Sequence, residues 1–196
     1  MHLVFDIFTG IGVAAAVGIR PFLPALAVGA LGAGDVQIDF SHCSFSFLQS
    51  TPFLLGMALG AIVLAVIERR LGSERLERGP LALLIAGISI ALGALLFAGS
   101  LCRGGHAIWP GLIGGVICAG IGILATRPLL ARVRARLDDE SVGALSLIAE
   151  AAALVAAVLS VVLPPVGVIV IGLLLWLLVA GRGRGEQKYA GLRILR

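Results

Sequence analysis

Charged residues are scarce in this sequence. They make up 13% of the chain, whereas hydrophobic residues make up 59%, and soluble proteins average about a quarter and about a half. The apolar residues form long runs separated by short charged stretches, which argues against a soluble core and is typical of a chain surrounded by lipid. No Lys or Arg precedes the first apolar run. That run is also too long for a signal peptide, so we expect it to persist as a helix.

Residues that build metal or catalytic sites are equally few. The three cysteines have no histidine at ligand spacing, which predicts that there is no metal site. Gly10 and Gly12 follow no strand pattern, which argues against a nucleotide loop, and we expect no cofactor. No nucleophile, base and orienting group can be assembled, so we do not expect an enzyme.

Six apolar stretches are present; the first is too long for one perpendicular crossing, and the other five are near the ~20 residues that cross a bilayer core. We predict an all-α, polytopic transmembrane bundle of about six spans, with one domain over 1–180 and a basic tail at 181–196. Pro164 and Pro165 predict a tight turn between the last two spans. The stretches lie at 3–33, 51–67, 80–101, 107–125, 142–163 and 165–180.

The positive charges alternate with these spans. Thirteen of the fifteen Lys and Arg lie in 68–79, 126–141 and 181–196, which predicts cytoplasmic loops and a cytoplasmic tail rather than a nucleic-acid surface. With an even number of spans, both termini would be cytoplasmic, in a multi-pass inner (plasma) membrane protein. Residues 128–137 have leucines and arginines on different sides, which predicts a short interfacial helix against anionic headgroups, or a solvated cytoplasmic helix.

Small residues and prolines mark places where helices break or pack. Gly18, Pro21 and Pro24 lie near the middle of the long first span and predict that it is tilted or broken there. GxxxG pairs predict close helix contacts, either within the chain, in a homo-oligomer or with another membrane protein. These pairs are Gly56 with Gly60, and Gly111 with Gly115.

Three charged residues interrupt the apolar spans. Asp6 is expected at the hydrated cytoplasmic mouth of the first helix. Glu150 lies about eight residues inside the fifth span, where it is either protonated or faces a polar interior and a cation. Both states are typical of an ion pathway, and a structural polar lock is the alternative. Arg20 requires a partner, either Glu150 or the outer headgroups.

The outer loop at 34–50 contains Cys43 and three phenylalanines, and we predict that it forms a lid at the interface. Cys102 falls on the same side, which makes it the candidate disulfide partner of Cys43. A short internal echo relates IRPFL at 19–23 to TRPLL at 126–130. Coincidence or an inverted repeat of three plus three helices would account for it.

Several segments resemble a bacterial integral-membrane family of unknown function, numbered 4126. They are GIGVAAAVGIRPFLPAL at 10–26, FSFLQSTPFL at 45–54, Glu150 in the fifth span and KYAGLRILR at 188–196. The resemblance implies a small polytopic inner-membrane protein and no established activity. From the residues we predict a transporter, channel or lipid-handling protein whose pathway is lined by Arg20 and Glu150. The alternative is an assembly partner that binds another membrane protein through GxxxG faces.

Overall fold

The chain folds into seven α-helices and one 3₁₀ turn within residues 2–41, 43–71, 79–137 and 139–190, which the computed structural model describes. No strand occurs in these ranges, and the predicted all-α membrane bundle is confirmed. Residues 72–78 of the predicted basic loop and 191–196 of the predicted tail lie outside them. The helices are α1 (His2–Ile19), α2 (Phe22–Ala33), α3 (Thr51–Leu71), α4 (Pro80–Arg103), α5 (Ile108–Arg134), α6 (Asp139–Val162) and α7 (Pro165–Ala190), with the 3₁₀ turn at Ser46–Gln49.

Four of the helices, α3 to α6, are long and apolar enough to cross a membrane, and the apolar parts of α1, α2 and α7 are shorter. Large aliphatic side chains cover the outer surface. On α3, for example, Leu55, Leu59 and Ile62 are each about 60% exposed. Contiguous surfaces of this kind are covered by lipid in membrane proteins. The chain is therefore a multi-pass membrane protein.

The first apolar stretch forms two helices, and the expected break falls at Arg20 and Pro21. Proline has no N–H for a helical hydrogen bond and disfavours helical angles in the residue before it. Gly18 lies inside α1 and Pro24 lies in the first turn of α2. The two helices are about 27 and 18 Å long.

The chain reverses direction at this break. Asp6, near the start of α1, pairs with Arg103 at the end of α4, whereas Arg20 pairs with Glu68 near the end of α3. Gly29 of α2 then packs against Leu48, just before α3. We call the end of the bundle that carries 34–50, 102–107 and 163–164 the loop end. The opposite end, where α3, α5 and α7 finish, is the basic end.

This reversal corrects the predicted placement of the termini. α1 starts at the loop end, whereas α7 runs toward the basic end, where Gly181 lies beside the Arg132 side chain. The two termini of the described chain therefore lie at opposite ends of the bundle. The prediction that both are on one side was wrong because it counted 3–33 as a single crossing.

Two helices extend further than their apolar stretches. α5 continues through Pro128 to Arg134, so the separate interfacial helix predicted at 128–137 is wrong. α7 likewise continues to Ala190, into the predicted tail. α5 runs past its apolar residues because the charged side chains at its end can be solvated beyond the hydrocarbon core without breaking backbone hydrogen bonds. The predicted turn at Pro164 is confirmed, with the Gly167 N–H donating to its carbonyl at 3.0 Å.

Helix α1 is the centre of the bundle and packs against α4, α5, α6 and α7. Its middle, residues 13–17, is completely buried. Glycines allow the close approach, since a Cβ on Gly18 would collide with the backbone of Ala119 in α5, and one on Gly12 would lie 2.5 Å from Cα of Gly167 in α7. The backbones of these helices are thus in direct contact.

The predicted GxxxG pairs differ in what they contact. A Cβ on Gly111 or Gly115 would lie 2.7 or 2.5 Å from Cα atoms of α4, so this pair joins two helices of one chain. Gly60 packs against the Phe22 ring, whereas nothing lies within 4 Å of a Cβ on Gly56. Three of the four glycines are therefore used inside the described chain.

The loop at 34–50 covers the loop end. Phe40 and Leu48 are completely buried, and the Phe40 ring packs against Gly99 of α4. The Phe40 backbone N–H donates to Oε1 of Gln49 at 2.9 Å, which fixes the loop against the start of α3. The loop forms a packed cover over the loop end, whereas its predicted position at the membrane interface stays a prediction.

Candidate functional site

A cavity of about 70 Å³ lies at the basic end, bounded by the α1–α2 connection, α3, α4 and α5. It has room for several water molecules. It extends from Ser89, nine residues inside α4, to Arg134 at the end of α5. The walls are mostly apolar, and four charged side chains interrupt them. These are Arg20, Glu68, Arg127 and Arg134.

Arg20 is held in a closed network with one carboxylate and one hydroxyl. Its two terminal nitrogens donate to the two oxygens of Glu68 at 3.4 and 3.3 Å. It also donates to Oγ of Ser146 at 2.8 Å, and the Ser146 hydroxyl donates to Glu68 at 2.8 Å. The Arg20 and Glu68 side chains are only 13% and 12% exposed. The network therefore joins the α1–α2 connection to α3 and α6 in a partly desolvated place.

Glu150 lies one helical turn after Ser146 on α6 and is half-buried. It interacts electrostatically with both Arg20 and Glu68. Within the described ranges, however, the carboxylate that pairs with Arg20 is that of Glu68. Arg20 and Glu150, which were predicted to pair, are thus neighbouring charges, and the direct ion pair of Arg20 in the described ranges is with Glu68. The two residues come near each other because α1 starts at the loop end and ends at the basic end, where Arg20 follows it.

Arg127 supplies a second guanidinium to the cavity. Its Nη2 donates to the backbone carbonyl of Ala82 at 2.8 Å, a neutral partner. The two hydroxyls in the lining are already committed to their own helices. Thr126 donates to the carbonyl of Gly122 at 2.6 Å, and Ser89 donates to that of Ile85 at 2.8 Å. Both hydroxyl protons of the lining are therefore used within their own helices.

Sequence reasoning missed Glu68, Ser146 and Arg127 as members of this site. Glu68 was assigned to a cytoplasmic loop because arginines follow it. The spacing of four between Ser146 and Glu150, which places both on one helix face, was the available signal. The echo of IRPFL and TRPLL was a signal too, since Arg20 and Arg127 line the same cavity. The helices that lead into the two segments, α1 and α5, both run toward the basic end, which argues against an inverted relation.

Asp6 lies at the opposite, loop end. It is 2% exposed and accepts a hydrogen bond from Arg103 at 2.7 Å, so the expectation of a hydrated position at the cytoplasmic mouth is wrong. Arg103 also donates to the backbone carbonyl of Gln37 in the covering loop. The pair connects α1, α4 and the loop, and it takes no part in the cavity.

The Cys43 and Cys102 thiols lie within hydrogen-bonding reach of each other at the loop end, and both are free. Burial raises the pKa of Cys43 to about 11. The disulfide between them stays a prediction. Cys118 is buried in α5. Among the residues whose positions are described, no group of three His, Cys, Asp or Glu side chains comes together to hold a metal ion.

Neither a curated protein nor a solved structure matches this chain. A family profile does match, over residues 7–182, and this range contains every helix core and the complete cavity lining. Its description is "Domain of unknown function (DUF4126)", in agreement with the resemblance of the segments around Arg20 and Glu150. The chain belongs to this family.

Proposed function

We propose that this protein transports or handles a small charged ligand through the cavity at the basic end. One observation carries the proposal: the partly buried network of Arg20, Glu68 and Ser146 lies beside a cavity at the point where the first apolar stretch reverses. Ionisable residues inside membrane bundles are costly and commonly mark substrate or ion pathways. Interrupted helices also form binding sites in transporters, because the backbone groups that are left unpaired at the interruption line a polar space.

The packing of the rest of the bundle supports access to the cavity from one end only. Between the cavity and the loop end lie the fully buried residues 13–17 of α1 and the close contact of Gly12 with Gly167. The covering loop with Phe40 and Leu48 closes that end. In a transporter, this arrangement corresponds to a state open toward the basic end only. A passage to the other side would require α1 to separate from α7.

The distribution of positive charge predicts how the bundle is oriented in the membrane. The ends of α3 and α5 carry Arg69, Arg70, Arg132 and Arg134 at the basic end, whereas Arg103 lies at the loop end. By the positive-inside rule, the basic end is cytoplasmic and the start of α1 is outside, in an inner membrane. The cavity would then face the cytoplasm.

Reconstitution in proteoliposomes tests the function. Ion flux is followed with an entrapped pH-sensitive dye under a potassium gradient, and lipid movement with a fluorescent phospholipid that an added reductant quenches in the outer leaflet. We expect activity in one assay, and Glu150→Gln should reduce it to the level of protein-free vesicles. Asp35→Asn, in the exposed part of the loop, should retain it. Activity that Glu150→Gln leaves intact would exclude Glu150 from the pathway, and inactivity in both assays would contradict the proposal.

A second function, assembly with another membrane protein, rests on α3. This helix is mostly exposed, and Gly56 has an open face beside Leu55 and Leu59. A partner helix could pack there. Gly56→Leu should then abolish recovery of a complex after crosslinking in membranes, whereas Gly172→Leu, at an open position on α7, should not. Equal recovery with both variants would contradict this function.

A further inference from the structure

We propose that the ligand of the cavity is a membrane phospholipid, one acyl chain of which enters sideways between α3 and α4. The inference rests on the proposed function and deepens it, because it names the ligand and its route. A phospholipid carries its charge in the headgroup, so it remains a charged ligand. We call the space between the two helices the seam, and its cavity-lining residues are Leu64 and Glu68 of α3 and Ile85 and Ser89 of α4.

The helices around α1 form an open ring. Within the described ranges, contacts run in turn from α4 to α5, α7, α6, α2 and α3. The step that would close the ring, from α3 back to α4, has no comparable contact among these residues. At the loop end the covering loop fills this step, since a Cβ on Gly99 of α4 would lie 3.0 Å from the Phe40 ring and 3.1 Å from Leu48. At the basic end the cavity occupies the same step, so helix packing does not close the seam there.

The seam is continuous with the lipid-covered surface. Leu64 precedes the end of α3, and Ile85 follows the start of α4, by roughly 10 and 8 Å along the helix axes. Both therefore lie inside the membrane spans and not at the connection between them. Ile88 lies one turn from Ile85 on the same face of α4 and is 39% exposed. An acyl chain can thus pass from the bilayer into the cavity along an apolar surface.

The cavity changes from polar to apolar in the direction in which a lipid leaflet does. Glu68 and Arg127 lie toward the ends of α3 and α5, whereas Leu64 and Ile123 lie one turn deeper on the same helices. At the deep end the Ser89 hydroxyl donates within its own helix at 2.8 Å, so an acyl chain there leaves its proton satisfied. A headgroup at the shallow end meets both a guanidinium and a carboxylate, which suits a zwitterionic lipid as well as an anionic one.

The size of the cavity also favours a ligand that extends beyond it. Its volume is about 70 Å³, whereas pockets that enclose a small soluble ligand measure about 300–1,000 Å³. Such a space fits a short part of one acyl chain. The remainder of the chain would lie along the seam, where the bilayer already supplies an apolar surrounding.

Photocrosslinking of the full chain to a lipid tests the proposal. The protein is placed in bilayer discs of phosphatidylcholine in which a small share of the lipid carries a diazirine on one acyl chain. After illumination, the modified residues are located by mass spectrometry. Ile123 lines the cavity and is 8% exposed, whereas Leu174 of α7 is 4% exposed and does not line it. Leu59, which is 62% exposed on α3, shows the level of modification on the outer surface.

We expect modification of Ile123 well above that of Leu174, although both side chains are buried. Ile85→Trp places a larger side chain in the seam. It should reduce modification of Ile123 about tenfold, the effect of displacing about two methylene groups from an apolar site. The matched control is Leu84→Trp, at a position on the same helix that is 64% exposed and does not line the cavity. It should leave modification within about twofold of the wild type.

Equal modification of Ile123 and Leu174 in the wild type would overturn the proposal, and this comparison does not depend on the folding of a variant. Equal effects of the two tryptophan variants would overturn entry through the seam. The vesicle assays separate this inference from the proposed function. Modified Ile123 without ion flux or lipid movement would contradict transport and retain the lipid site. Ion flux with unmodified Ile123 would do the reverse.

Discussion

The ion pair between Asp6 and Arg103 gives the sharpest test of the fold. The Asp6 side chain is 3% exposed, Arg103 is 31% exposed, and the two are 2.7 Å apart. Arg103→Gln removes the cation and leaves a buried carboxylate. Loss of one partner of a buried pair costs about 3–5 kcal/mol, and because water reaches Arg103 we expect about 3 kcal/mol. The double variant with Asp6→Asn has no buried charge, and we expect it to cost only about 1 kcal/mol.

The measurement is reversible unfolding in mixed micelles, with a denaturing detergent added to a mild one and the helical circular dichroism recorded. The control is Arg136→Gln, which changes an exposed arginine at the basic end and should cost under about 0.5 kcal/mol. Additive losses in the double variant would refute the pairing. An effect of Arg103→Gln no larger than the control's would refute it as well, together with the placement of the start of α1 at the loop end.

Four further predictions concern the cysteines, the helix contacts and the topology. Oxidation should join Cys43 to Cys102, detected as a crosslinked peptide by mass spectrometry that reductant removes. Because the pKa of Cys43 is raised to about 11, its thiolate is scarce at pH 8, so alkylation of Cys43 in the reduced protein should accelerate as the pH rises toward 11. Gly115→Ala should destabilise the bundle by about 1–3 kcal/mol, since its Cβ would lie 2.5 Å from Cα of Ala94. Gly120→Ala, where nothing lies within 4 Å, should be neutral or stabilising. Tags at the N- and C-termini should report opposite sides of the membrane, and tags on one common side would contradict the reversal at Arg20.

The sequence by itself determined the membrane environment, the positions of the later helices and the location of the first break. Composition decides the first two because about 20 apolar residues in succession require lipid or a buried core. Pro21 decides the third through its missing N–H. These are local properties of the chain, so no knowledge of distant contacts was needed. The clustering of arginines at one end follows from the same pattern and holds in the folded structure.

Only the tertiary structure decided the direction in which the chain leaves that break. A proline permits either a kink or a reversal, and the choice depends on what α1 packs against. Here Gly12 and Gly18 seat α1 directly on α7 and α5, which leaves α2 to return along α3. The reversal brings Arg20 to Glu68 and Asp6 to Arg103, two pairs that are 48 and 97 residues apart. Such pairs arise from the packing of helix backbones, and this packing cannot be predicted from the spacing of charges or from hydropathy.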